Sequence, residues 1–157
     1  MRVSAKPETL WFLDALVRIH VSGATNADGI SVVEHVKPYG SSQPLHIHRS
    51  EDEIFHILSG AARFVLDGKE INVTAGQTLL APRGKPHTFV VTSKAGATWL
   101  TITRGYFERM LRALARPAER DELPAAAPPA PEQVAVLEAA CRANDIEIVG
   151  PPLPVPV

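Results

Sequence analysis

Residues 10–104 break into short runs of β-branched and aromatic residues, each closed by glycine or proline, and this punctuation favours strands over helices. "GISVVEHV" ends at Lys37-Pro38, "EIFHIL" at Ser59-Gly60, and "QTLLAP", "HTFVVT" and "ATWLTIT" follow at short intervals. "LWFLDALVRIHV" reads as one apolar strand. Asp67-Gly68 inside "AARFVLDGKEINV" predicts a tight hairpin, because both turn positions need a positive φ. No helical periodicity of useful length interrupts the series. The expected fold class is all-β, a sandwich or barrel, and 157 residues suffice for one such core.

The pattern changes after Arg104. "GYFERMLRALARP" places Phe107, Met110, Leu111 and Leu114 at helical spacing, with Pro117 as its stop. "ERDELPAAAPPAPEQ" is expected to be extended. "PEQVAVLEAACRAND" predicts a second short helix with Val134, Leu137 and Cys141 on one face, and "IEIVG" a small strand or a docked segment. Nine of the fourteen prolines lie from Pro117 onward. Residues 1–110 are therefore read as the barrel. Residues 111–157 are read as a helix–linker–helix appendage packed on it, too short for a core of its own.

Charge and cysteine content narrow the function classes. A net charge of −1, a pI near 6.6 and no lysine- or arginine-rich run argue against a nucleic-acid partner, which needs a concentrated basic surface. One cysteine, Cys141, allows neither an internal disulfide nor a thiolate metal cluster and fits a cytoplasmic setting. Asp14 and Arg18 interrupt the apolar start, so no signal segment is expected. No run of about 18 apolar residues predicts a membrane span.

The chemistry concentrates in "GSSQPLHIHRSEDEIFHILSG", which holds three of the six histidines. On a strand, residues i and i+2 share a face, so His46 and His48 project together. Paired imidazoles suit Zn, Fe, Cu, Ni or Mn. Glu53 begins the next strand and can add a carboxylate. His87 follows Pro82, Gly84 and Pro86, a stiff turn that sets its direction, with Gly84 in a conformation other residues resist. Phe89 shares the face of His87.

These residues resemble the two cupin motifs. The first motif is met by Gly40, His46, His48, Glu53 and Gly60, and the second by Gly76, Pro82, Gly84 and His87, with Val91 where the family has asparagine. Asp52 also stands at a permitted distance from His48; Glu53 is preferred because its distance to Gly60 fits too. Residues 8–105 carry the resemblance. It implies a double-stranded β-helix, or jelly-roll, barrel of two sheets. It also implies one divalent transition metal (Fe, Ni, Mn, Cu or Zn) held by His46, His48, Glu53 and His87. Among cupins the chain is similar to small single-domain bacterial proteins described as quercetin-dioxygenase-like. Cupins often dimerise, and the apolar "LWFLDALVRIHV" needs cover, so a homodimer is compatible with the sequence.

Four protein ligands leave open metal positions for a small-molecule substrate. The leading expectation is an oxygenase acting on a small enolizable aromatic or polyketide-like compound, with Glu53 as ligand or base and His35 as a catalytic or substrate contact. Phe55, Ile57, Phe89 and Trp99 are expected to line the substrate pocket, and Gln43 to touch substrate. A non-redox isomerase, lyase or cyclase would use the same ligands. A binding barrel without catalysis is the third reading.

Overall fold

The computed structural model describes residue 3 and residues 5–157. Strands β1 (Glu8–Phe12), β2 (Ala15–Val21), β3 (Ser31–Lys37), β4 (Leu45–His48) and β5 (Glu53–Ser59) come first. They are followed by β6 (Ala61–Leu66), β7 (Lys69–Thr74), β8 (Thr78–Ala81), β9 (His87–Val91) and β10 (Ala97–Thr103). Helix α1 (Tyr106–Leu114), the two-residue β11 (Arg116–Pro117), α2 (Pro131–Ala143) and β12 (Ile146–Gly150) complete the chain. They form two antiparallel sheets, ordered β11-β1-β2-β3-β10-β5-β8 and β12-β4-β9-β6-β7. The all-β jelly-roll expectation holds.

Local chemistry explains the turns. Asp67 (φ 50°) and Gly68 (φ 79°) join β6 to β7 with Leu66 opposite Lys69, the two-residue hairpin their sequence predicts. Gly60 is needed for space as well as for its φ of 77°: a Cβ there would sit 2.3 Å from the Gly96 carbonyl oxygen. "LWFLDALVRIHV" is not one strand. Phe12 pairs with Ala15, so the chain reverses at Leu13-Asp14, with Leu13 at φ 54°. Nothing in that dipeptide advertises a turn. The reversal is imposed by packing, since folding the segment back on itself puts Leu10, Phe12, Ala15 and Val17 on one buried face.

The core has two parts. One half of the barrel is filled by Phe55, Phe64, Phe89 and Trp99 with smaller neighbours. In the other half the β1–β2 hairpin packs against Phe107, Met110 and Leu111 of α1, Cys141 of α2 and Ile146 of β12. The chain's own helices thus cover that face. On the other face Trp11 donates to the Glu122 carbonyl at 2.7 Å, under the guanidinium of Arg116. In α2, Leu137 and Cys141 face the core as expected, but Val134 is exposed: the helix touches the barrel through its second half. No described helix is long and apolar enough to cross a membrane.

The C-terminal segment does more than dock. Strand β12 pairs with β4 along its length, Ile146 opposite His48 and Ile148 opposite His46, with a bulge before Gly150 meets Leu45. On its other side β4 meets β9 at the single position His46–His87. The strand carrying the histidine pair is therefore held largely by the C-terminal strand.

Glu108 ties α1 to the loop after β2. Its carboxylate accepts from Ser22 Oγ (2.6 Å), Gly23 N (2.8 Å) and Arg112 Nε (2.8 Å). Burial raises its pKa, but these donors outweigh burial and hold it below the usual carboxylate range. Its contribution is therefore complete above the unfolded-state value of 4.5 and is lost as pH falls through the lower folded value. Glu108→Gln is expected to cost about 1–3 kcal/mol at pH 7 and much less at pH 3. Urea unfolding at the two pH values checks this; an equal loss at both would show that charge is not the cause.

Candidate metal centre

Alternation along β4 buries His46 and His48 and leaves Leu45 and Ile47 half-buried on the other face. The same rule on β5 turns Glu53, Phe55 and Ile57 inward and His56 outward, where its Nδ1 meets Thr78 Oγ1 at 2.8 Å. His87 opens β9 directly opposite His46. The preceding turn is fixed at both ends: Gly84, at φ 80°, donates its N–H to the His48 carbonyl at 2.8 Å, and Arg83 N donates to Asp52 Oδ1 at 2.9 Å. Asp52 is thereby engaged with the turn, away from the histidines.

His46, His48, Glu53 and His87 come together, all buried, with one donor atom from each lying within 4.8 Å of the others. Ring centroids are 4.4 Å apart for His46–His87, 5.2 Å for His46–His48 and 5.5 Å for His48–His87. The outward nitrogens are engaged. His46 Nδ1 donates to the Pro44 carbonyl at 2.7 Å, His48 Nδ1 lies 3.2 Å from Glu51 Oε2, and His87 Nδ1 faces the Lys85 carbonyl at 3.5 Å. A proton held on Nδ1 leaves the Nε2 lone pair for a metal. Nε2 of His48 and of His87 lie 2.8 and 2.9 Å from the same oxygen, Glu53 Oε2.

A cation fits this group. His48 Nε2 is buried and makes no well-directed hydrogen bond, although Glu53 Oε2 lies 2.8 Å away. Three imidazoles and one carboxylate are the mixed nitrogen–oxygen set that divalent transition metals accept. The electrostatics agree. Burial, together with the nearby His87 and His48, pushes His46 down to about 3. Burial also acts against a charged His48, yet Glu53 and Glu51 outweigh it and push His48 up to about 10. Burial disfavours the Glu53 carboxylate, but His48 and His87 hold it well below the usual range. Two buried carboxylates thus call for positive charge at one point.

Glu51 is the buried neighbour of the donor group that motif reasoning passed over. It is fully buried and accepts from three backbone N–H groups at the start of α1: Arg104 (2.9 Å), Tyr106 (3.2 Å) and Phe107 (2.8 Å). The residue at the helix N-cap, Gly105, has no side chain to do this, so Glu51 caps the helix from another element. It also orients His48 through Nδ1.

His35 lies inside the barrel but outside the four-donor group. It is 1% exposed, its ring 5.6 Å from Phe107 and 6.4 Å from Trp99, and neither ring nitrogen has a partner. Burial, then the nearby Lys37, lowers its pKa to about 3, so it stands neutral. Lys37 itself is buried over Phe89 and Trp99, with Asp14 Oδ1 3.8 Å away.

A narrow cleft of about 30 Å³ reaches the edge of the group. His46 and His48 line it with Phe107 and Met110 of α1, Leu137 of α2 and Ile148 of β12. Gln43 lines it too, where substrate contact was expected. Phe55, Ile57, Phe89 and Trp99 are placed differently from the expected pocket wall. Each is at most 2% exposed, and they pack on one another, with Phe89 and Trp99 centroids 4.8 Å apart. Their alternation inward is right, but their volume fills the barrel beneath the site, leaving the opening on the helical side. Phe55 alone meets the group, with its ring 5.9 Å from His87.

The comparisons agree with this geometry. Residues 32–103 match the family described as Cupin domain. The chain is 34% identical over 65 residues to an oxalate-binding protein of Thermotoga maritima, covering 41% of this chain and 54% of that protein. It is 37% identical over 57 residues to an uncharacterized protein of Methanocaldococcus jannaschii, covering 36% and 46%. The matched segments thus span about half the length of these curated relatives. The crystal structure of a predicted oxalate decarboxylase of Thermotoga maritima superposes with a TM-score of 0.54 at 25% identity, over 66% of this chain and 97% of that one. The two-sheet jelly roll, with both histidine motifs in place and residues 32–103 matching the Cupin domain, gives this chain a cupin fold with a cupin domain over those residues.

Proposed function

We propose that the chain is a metal-dependent enzyme holding one divalent transition metal through His46, His48, Glu53 and His87, and that it acts as an oxygenase on a small enolizable substrate. The observation that carries the metal reading is the convergence of four buried donors from three strands, where His48 Nε2 is buried without a hydrogen bond. A bound metal would supply Lewis acidity and, if redox-capable, a path for O₂ chemistry.

The chain's own residues supply position and environment. Pro44 and Glu51 hold the rings of His46 and His48 from behind. Glu53 lies between two imidazoles and is placed as a ligand more than as a mobile base. The aromatic half-core under the site keeps water out from that side. His35 offers a neutral, unsatisfied imidazole inside the barrel, suited to a hydrogen bond with bound substrate. Similarity to the predicted oxalate decarboxylase supports a second reading, a non-redox lyase on the same ligands.

Metal analysis of protein purified without chelator, with O₂ uptake followed on a panel of enolizable aromatics, separates them. One equivalent of Fe, Ni, Mn or Cu with O₂ consumption is the expected result. One equivalent of Zn with turnover but no O₂ uptake would establish the lyase reading instead. No metal after reconstitution would overturn both.

A further inference from the structure

The larger sheet turns one broad apolar face outward. We infer that the outer face of β2, β3, β10, β5 and β8 binds a second copy of the chain, about a two-fold axis that runs along β10 above Leu100. The inference is independent of the metal reading.

Strand register places the residues. Alternation turns His35, Trp99 and Phe55 inward, so Glu34, Leu100 and His56 point out. Pairing sets them in one row, Arg18–Glu34–Leu100–His56–Thr78. A bulge in β2 brings Val21 opposite Val32, and the row through them is apolar across all five strands: Val21–Val32–Ile102–Ile54–Leu80. Val36 and Leu58 flank β10 on the other side of Leu100. Val21, Leu58 and Leu80 are 40%, 45% and 50% exposed, and Val32, Val36, Ile54, Leu100 and Ile102 are half-buried. A contiguous apolar face with polar groups among it marks an interaction site. The β1–β2 hairpin is a different case, because the chain covers it: α1 and α2 lie on one side, and Glu122 and Arg116 lie over Trp11 on the other.

Symmetry names the occupant. A two-fold axis lying in the contact plane along β10 exchanges the strands on its two sides, so β3 meets the partner's β5 and β2 meets the partner's β8. Every outward position then finds its match. Leu100 and Ile102 meet their own copies, Val32 meets the partner's Ile54, Val36 the partner's Leu58, and Val21 the partner's Leu80. The polar groups match as well, since Glu34 meets the partner's His56 on both sides of the axis. Glu34 Oε1 lies 3.0 Å from His20 Nε2 and Oε2 is held by Arg18, yet a carboxylate has acceptor sites to spare. His56 spends Nδ1 on Thr78 Oγ1 and keeps Nε2 for a partner. A binder of another sequence would not require the two halves of the face to mirror each other. Sheets stack in this nearly aligned manner about 10 Å apart.

Sedimentation equilibrium of the full chain tests the inference, with circular dichroism on every variant. Wild type is expected to reach twice the 17.0 kDa of one chain. Leu100→Asp sets two carboxylates against each other on the axis and is expected to weaken the dimer about a hundredfold or more. Val21→Lys and Leu80→Glu change exposed positions that the fold does not depend on. Each alone is expected to weaken the dimer about tenfold, and both in one chain to recover most of that loss. Within one chain these positions stand at opposite ends of five strands, roughly 20 Å apart, so recovery can come only from across the interface. A wild-type monomer overturns the inference. A dimer that Leu100→Asp leaves intact overturns it too, because the contact then lies elsewhere, and so does a double variant no tighter than the singles. If Leu100→Asp does not fold, the two edge substitutions decide alone.

Discussion

Replacing His46 or His87 with alanine should strip the protein of its metal while leaving the barrel folded. Each imidazole is one of four donors gathered within 4.8 Å, and no other described side chain stands ready to replace it. Asp52, the nearest sequence alternative, is engaged with the Arg83 backbone. The loss in metal affinity should exceed the roughly 10–100-fold attributable to a supporting residue, because a ligand itself is removed. The fold should survive, since neither core cluster includes these rings and only Phe55 touches one of them. Metal per chain by elemental analysis, with circular dichroism on the same sample, gives the answer. A variant that keeps a full equivalent would show that the donors are assigned wrongly.

Glu51→Ala should be worse for the protein than either ligand change. The carboxylate is fully buried and is the shared acceptor for three backbone N–H groups that open α1 and for His48 Nδ1. Deleting it strands those donors and removes a buried charge from its partners, a change worth about 3–5 kcal/mol. It also frees the His48 ring to rotate, which should lower metal affinity by about 10–100-fold. Glu51→Gln keeps the shape and one acceptor oxygen and should recover part of the stability but less of the metal affinity. Chemical unfolding and a metal-competition titration separate the two effects. Full metal affinity in a destabilised Glu51→Ala would confine Glu51 to helix capping.

The sequence made the barrel legible because its turns are written in residues with few other uses. Asp67-Gly68 and Gly84 mark positive φ, and the strands between them alternate cleanly. The donor group was legible for a related reason: period-two alternation puts His46 with His48, and a rigid turn aims His87. What stayed hidden depends on tertiary contact. The reversal at Leu13-Asp14 has no turn chemistry and exists because the hairpin buries both of its arms under α1. Phe55, Ile57, Phe89 and Trp99 face inward as expected, but alternation says nothing of depth, and only packing shows them filling the barrel. The open side of the site comes from α1, α2 and β12, so its lining could not be read from the motif strands. Glu51 was hidden by its second role, because a helix capped from about 50 residues away leaves no local signature.

The pairing of β12 with β4 sets a timetable. Ile146 and His48 are about 100 residues apart in the chain, and closing that distance is among the last events available to it. A polypeptide still being synthesised can form most of the larger sheet before β12 exists. The strand that carries His46 and His48 then has its single register position with β9 and little else. On the metal reading, the ligand strand is expected to be braced for metal only once β12 has reached β4. The exposed residues 125–130 are the tether on which that return depends, and a protease cutting there would sever the tether of the brace of the ligand strand while leaving the aromatic half-core intact.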